Sequence, residues 1–184
     1  ERREIGGVQY RTDHDLGGHE SVSKTRLSVL DEETKERFTP HVLELSFGHW
    51  RNLYTVLEQH LHYDEKRNNN VLKLPKKLAP IKASVFPLMN KPEFQELARL
   101  IHKDLVENDI ISTFDRSGSI GKRYARADEI GTPYCITVDH DSLETGIVTV
   151  RDRDSTDQIK IHKDKISETI RNLINDKIEF SKVE

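Results

Sequence analysis

Apolar residues recur along this chain with two periods, and the switches between them mark its elements. HVLELSF (41–47) alternates strictly. Leu43, Leu45 and Phe47 share one face and Val42, Glu44 and Ser46 the other, the pattern of a half-buried strand. After Gly48 the spacing turns helical, with Leu53, Val56, Leu57 and Leu61 on one stripe. Upstream, REIGGVQYRTDHDLGGH (3–19) is polar and carries paired glycines, which predicts strand and loop lining a site. Thr25 to Glu36 reads as a short strand and an acidic turn. DEKRNNN (64–70) lacks any period and predicts a linker or loop, continued by an extended stretch punctuated by Pro75 and Pro80.

Beyond that point the pattern is regular. Ala83 to Met89 predicts a strand ending near Pro87. Asn90 and Glu93 have capping-box spacing ahead of a helix that buries Phe94, Leu97, Leu100, Ile101 and Leu105 and ends near Asn108. Ile111 to Phe114 predicts a strand, Lys122 to Glu129 a helix closing on Gly131, and Tyr134 to Val138 a core strand. A turn, SLETG, precedes a strand over Ile147–Arg153 and a short one around Ile159. A last helix over 164–176 turns Ile166, Ile170, Leu173 and Ile174 inward. Strand–helix–strand–helix–strand implies parallel pairing through right-handed crossovers, with the Ile147 strand added antiparallel. The expected class is α/β, with a mixed sheet and helices on both faces. The expected division is a first domain over 1–72 and a second over 73–184, the part from about Leu78 folding alone.

Composition narrows this picture. Apolar content is 34% and charged content 33%, for a formal net charge of −3. Any RNA contact must therefore come from a local patch rather than from a global field. Cys135 is the one cysteine and lies in a predicted core strand, so no intrachain disulfide forms and a cytoplasmic location is expected. No apolar run is long enough to span a membrane. The chain opens on Glu1 in mid-pattern, which suggests part of a longer polypeptide.

The chemistry concentrates in two places. DRSGSIGKRYARADEIGTPYCITVD (115–139) sets Gly118, Gly121, Ser117 and Ser119 beside Lys122, Arg123 and Arg126. Backbone donors next to cations suit phosphate or RNA; the competing reading is a solvated face paired with Asp128 and Glu129. In HVLELSF, Glu44 either faces solvent or holds a cation. His60 and His62 beside Glu58 diverge on a helix and make a poor metal pair. His14 and His19 sit in a polar loop. The sequence shows no Ser-His-Asp logic, no P-loop and no dinucleotide fingerprint.

The string GSIGKRYARADEIGTPYCITVD closely resembles the anticodon-binding domain shared by glycyl, histidyl, prolyl and threonyl members of the class II aminoacyl-tRNA synthetases. RYAR followed by ADEIGTP looks like the glycyl enzymes, especially the archaeal type. EIGGVQYRTDHDL is similar to their E-x-x-G-I-x-x-R-T-D-Y-D-L segment, and VLELSFG followed by Arg51 to their motif 3, E-P-S-F-G with an arginine three positions on. The resemblance implies the end of a class II catalytic antiparallel sheet over 1–72, then an anticodon-binding domain. It implies a glycine-tRNA ligase that uses ATP and Mg²⁺, with the Mg²⁺ ligands unassigned. Its partners would be glycine and tRNA-Gly, and the full-length enzyme would be a homodimer.

Carried over by position, Glu4 and Glu44 bind the glycine ammonium, Ser46 shapes that pocket, Arg11 stands at a matching arginine, and Arg51 is the catalytic arginine that meets ATP. Lys122, Arg123 and Arg126 face the RNA. The resemblance spans nearly the whole chain but only the last third of such an enzyme, without motifs 1 and 2. Leu45 replaces a proline, and Trp50 a small or acidic residue. The indole is expected either in the nucleotide cleft, where it blocks ATP, or under the following helix. The other readings are a non-catalytic RNA-binding or accessory protein and a plain α/β interaction domain.

Overall fold

The computed structural model describes residues 3–183 and divides the chain into two units, Glu1–Val56 and Leu57–Glu184. In the first, strand β1 (Gly6–Thr12) is followed by helix α1 (His14–Ser23), a small hairpin of β2 (Val29–Leu30) and β3 (Arg37–Phe38), strand β4 (Val42–Phe47) and helix α2 (His49–His60), which crosses the unit boundary. Antiparallel β1 and β4 pair with Gly7 opposite Ser46, Val8 opposite Leu45 and Gln9 opposite Glu44. Opposed residues share a face, so the alternation separates a polar face (Gly7, Gln9, Glu44, Ser46) from an apolar one. Val8, Tyr10, Leu43, Leu45 and Phe47 on the apolar face are each at least 60% exposed. No described residue of this unit is fully buried. The predicted stripe of α2 is likewise open: Leu53 and Leu57 are exposed and Val56 half-buried.

Residues 14–23, expected as loop, are helical. The segment has no apolar stripe and no side-chain cap, which is why periodicity does not find it; it ends where Lys24 turns left-handed.

In the second unit, DEKRNNN is a loop, the tip of an antiparallel hairpin, and not a linker. It joins β5 (Leu61–Asp64) to β6 (Asn69–Leu72), with Asp64 Oδ1 accepting the amides of Lys66 and Arg67 across the turn. Then come β7 (Ala83–Pro87), α3 (Pro92–Glu107), β8 (Ser112–Phe114), α4 (Ile120–Glu129), β9 (Tyr134–Val138), α5 (His140–Thr145), β10 (Ile147–Asp152), β11 (Gln158–His162) and α6 (Ile166–Ile174). The five-stranded sheet has the order β11-β10-β9-β7-β8, with β7 parallel to β8 and β9, and β10 antiparallel to its neighbours, as expected.

Two local expectations change. Pro92 starts α3, two residues after Asn90, because proline suits the first helical turn; Asn90 instead accepts from Gln95 Nε2 at 2.8 Å. SLETG lies in α5 rather than in a turn. Asp139 and Ser142 form its capping box and Gly146, at φ +74°, ends it.

The two faces of the sheet differ. Val85, Ile136, Val138, Val148 and Val150 meet Phe94, Ile101 and Leu105 of α3 and Ile166, Ile170 and Leu173 of α6 in the main core. The face under α4 holds only a small cluster, Phe86, Ala127 and Cys135 with Ile120 and Tyr124. Burial pushes the Cys135 thiol up to about 12, so it is un-ionised near neutrality. Polar groups line much of the rest of that face and several are bonded to one another, as buried polar groups usually are. Tyr124 Oη meets Thr137 Oγ1 at 2.7 Å and Ser84 Oγ meets Thr113 Oγ1 at 2.8 Å.

Arg151 bonds Asp128 through two nitrogens, at 3.0 and 3.1 Å, and Arg67 of the hairpin reaches the same carboxylate at 3.1 Å. Burial alone would lower the Arg151 pKa; the Asp128 hydrogen bonds outweigh it and hold the guanidinium above its usual value. Arg153, only 2% exposed, donates to the carbonyls of Leu72, Leu74 and Gly131 and to Asp154. Helix α4 ends in a Schellman arrangement: Thr132 N–H donates to Ala127 O and Gly131 N–H to Asp128 O. Gly131 is required there twice over. Its φ is +80°, and a Cβ would come 2.9 Å from Leu72 O.

Candidate functional site

Two surfaces carry the residues singled out by sequence, one in each unit. In the first unit they lie on the polar face of the β1–β4 ribbon. Glu44 and Ser46 stand two residues apart on that face, opposite Gln9 and Gly7. Glu4 precedes β1, and its carboxylate lies over Gly7: a Cβ added there would sit 3.6 Å from Glu4 Oε1 and 3.7 Å from Gln9 Nε2. Glu4 thus lies on the side of the ribbon that bears Ser46 and Glu44. A methyl group at Gly7 would take up this space, so glycine keeps the face open between them.

Arg11 follows Gly7 and Gln9 at period two onto this face, beside a register shift between Tyr10 and Thr12. Its Nη1 pairs with Glu44 Oε2 at 3.1 Å, and its other edge with Asp15 of α1, Nη2 to Oδ1 at 2.8 Å. The hydrogen bond to Asp15 and the charges of Asp15 and Glu44 raise the Arg11 pKa, and that bond holds the Asp15 carboxyl below its usual range. Asp15, from the unpredicted helix α1, is therefore the member of this network that sequence reasoning missed. Its signal was the i,i+4 spacing from Arg11.

Arg51, in the first turn of α2, is exposed and donates from Nη1 to the Glu4 carbonyl at 2.7 Å. Asn52 Nδ2 donates to Ile5 O at 2.9 Å and ties the same turn to the start of β1. Trp50 does not lie buried under the following helix. Its ring is 77% exposed and meets His49 edge-on, with centroids 5.2 Å apart. Among the described residues, no group of three His, Cys, Asp or Glu side chains is placed to hold a metal ion. Arg11 occupies the Glu44 carboxylate.

In the second unit, the loop after β8 leads into α4 at the carboxyl end of the parallel strands, where open α/β sheets offer their ligand crevices. Ser119 caps α4, its Oγ accepting the Lys122 amide at 3.4 Å. The three predicted cations separate. Lys122 is exposed, and among the described residues its side chain has no ion-pair partner. Arg126, half exposed, holds the loop by donating to Asp115 Oδ2, Ser117 O at 2.7 Å and Ser117 Oγ at 3.0 Å.

Arg123 is buried and donates to Pro87 O and Gly118 O, so its charge braces the ends of β7 and the loop instead of facing solvent. Helical spacing explains the split. Lys122 and Arg126 are i,i+4 neighbours, whereas Arg123 belongs with Ile120, Tyr124 and Ala127 on the inward stripe. Burial would raise the Asp115 carboxyl, but Arg126 and the Ser117 amide outweigh it and hold it low. Asp128 does not pair with this helix's cations; it is committed to Arg151 and Arg67. Arg116, not singled out by sequence, stands on the same loop and donates to Gln95 Oε1 at 2.7 Å.

Residues 82–173 match the family described as Anticodon binding domain. The chain is 50% identical over 163 residues to a protein of Malacoplasma penetrans named Glycine--tRNA ligase, covering 86% of this chain and 34% of that protein. Proteins of the same name from Bifidobacterium longum and Methanothrix thermoacetophila are 41% and 47% identical over 181 and 155 residues, covering 95% and 83% of this chain and 37% and 27% of theirs. The chain thus spans about a third of the length of the curated relatives it matches.

Proposed function

This chain belongs to the anticodon binding domain family, and from that premise we propose that it is the tRNA-reading part of a glycine-tRNA ligase together with one wall of its glycine pocket. The proposed division puts the end of a class II catalytic domain in 1–72 and the anticodon-binding domain in 73–184. The rest of the polypeptide would complete the antiparallel sheet and cover the apolar face of β1 and β4. It would also supply the Mg²⁺ ligands and the homodimer contact, and a cytoplasmic location accords with this role. No helix of the described residues is long and apolar enough to cross a membrane.

The observation that carries the reading is the gathering of Glu4, Glu44 and Ser46 on one face beside the open Gly7. Two carboxylates and a hydroxyl suit an ammonium, through charge-assisted hydrogen bonds. In the proposed reaction a glycine carboxylate oxygen attacks the α-phosphorus of ATP. Pyrophosphate leaves, and the glycyl group then passes to a ribose hydroxyl at the tRNA end with release of AMP. Glu4 and Glu44 hold the amino group, Arg11 orients Glu44, and Arg51 swings from the Glu4 carbonyl to a phosphate. Catalysis of this kind rests on positioning and charge stabilisation.

Glycine-dependent ATP–pyrophosphate exchange by the full-length polypeptide tests this. Glu44→Gln is expected to raise the glycine KM at least about tenfold, the scale of a lost charged hydrogen bond, with ATP binding kept. Unchanged glycine kinetics would sink the pocket assignment. A second reading, a non-catalytic RNA-binding protein, is favoured by the hold of Arg11 on Glu44 and by the Leu45 and Trp50 departures. Absence of any exchange, with tRNA binding intact, would decide for it.

On the RNA side, Lys122 and Arg126 are the proposed phosphate contacts and Arg123 the brace beneath them. Lys122→Ala is expected to weaken tRNA binding uniformly and to lower the slope of log affinity against log salt by about one ion. A parallel line with the wild-type slope would remove Lys122 from the interface.

A further inference from the structure

Of the expected inward residues of α3, Phe94, Ile101 and Leu105 are buried, together with Ala98. Leu97 packs half-buried against the edge of that core, and Leu100 is 58% exposed. Both face a cleft of about 480 Å³ between α3 and α5, to which Leu143 of α5 adds a third apolar side chain. Glu93, Glu96 and Glu144 stand at the same cleft. Among the described residues none of these three carboxylates makes an ion pair or a side-chain hydrogen bond. Neighbouring acids do: Asp141 pairs with Lys160 at 2.8 Å, and Asp164 takes both Lys163 and His162 at 3.4 Å. The lysines near the far end of the cleft, Lys160 and Lys163, therefore already have carboxylate partners, and the three rim carboxylates have no cation.

We propose that this cleft docks a short segment of a partner protein that combines leucine-like side chains with lysine or arginine. Apolar floor and unpaired carboxylates together fit such a segment, the side chains filling the floor and the cations meeting the rim. RNA is disfavoured, because the rim repels phosphate. The cleft also lies on the face of α3 and α6, and the cations of α4 are on the other face of the sheet, so RNA and this partner can bind together. The inference is independent of the ligase reading.

The test titrates the ¹⁵N-labelled chain with a helical leucine–lysine peptide and with its leucine–glutamate counterpart. The cationic peptide is expected to shift the amides of Leu97, Leu100, Leu143 and Gly146, and the acidic one to leave them unmoved. Glu93→Gln, Glu96→Gln and Glu144→Gln together should weaken binding about tenfold, three rim charges being worth little singly. Leu100→Ser should weaken it separately. These exposed substitutions leave the core intact, which circular dichroism checks. Equal affinity in the triple variant, equal binding of the acidic peptide, or shifts mapping elsewhere would overturn the proposal. So would sedimentation showing that Leu100→Asp dissociates a dimer built on this face, since the occupant would then be a second copy.

Discussion

Replacing Asp128 by alanine is expected to cost the second unit about 3–5 kcal/mol, the penalty for leaving buried charge without its partner. Asp128 is 2% exposed and receives Arg151 through both carboxylate oxygens, while Arg67 adds a third bond from the hairpin. Arg151 is 7% exposed and lies with its guanidinium carbon 4.8 Å from the Tyr124 ring centroid, so water cannot take over the lost role. Small domains are stable by only about 5–15 kcal/mol, so one substitution removes a large share. Urea unfolding measures it. Asp128→Asn, which keeps the shape and loses the charge, should fall between wild type and alanine. An alanine effect below about 1 kcal/mol would class this contact with surface ion pairs. Because Asp128 sits on the inward side of the helix that bears Lys122 and Arg126, the folded fraction of the alanine variant should also bind tRNA less tightly.

That network was hidden from the sequence for a physical reason. Arginine and aspartate are seldom buried, so nothing in KRYARAD or VTVRDRD marks Asp128, Arg151 and Arg153 as buried. Thr149 and Arg151 alternate with Val148 and Val150 along β10, and Arg153 keeps the same period just past its end, a pattern of one wet face and one dry face. Only the hairpin and α4 lying over the polar face change that, and both contacts are remote in sequence. The strands at 83–87 and 134–138, the last helix and the mixed sheet were legible because their apolar residues face one core. Helix α1 was not, since nothing apolar directs it. The candidate glycine-binding residues were legible through resemblance and alternation, but the grip of Arg11 on Glu44 was not, because it joins two strands remote in sequence whose pairing no local pattern announces.

Where the second unit begins is the other large effect. The sequence points to about Leu78, after the polar tract and the prolines. The structure makes the hairpin part of the unit: Val71 and Leu74 are 0% and 6% exposed, and Asn69 Nδ2 donates to Ala125 O at 3.0 Å. Arg153 gives Nη1 to Leu72 O at 3.0 Å and Nη2 to Leu74 O at 2.8 Å. A chain of residues 57–184 keeps all of these; residues 78–184 lose them. Burying a valine and a leucine contributes about 1.5–3 kcal/mol each, and the two charged hydrogen bonds of Arg153 about 1.5–3 kcal/mol each. Their sum reaches the whole stability of a small domain. The longer chain is therefore expected to unfold cooperatively in urea, and the shorter one to show a shallow transition or none. Arg153→Met should partly restore the shorter chain, because it removes the cation left without acceptors. If 78–184 unfolded cooperatively within about 1 kcal/mol of 57–184, a loss no larger than that of an ordinary surface contact, the hairpin would be an appendage and the boundary read from sequence would stand.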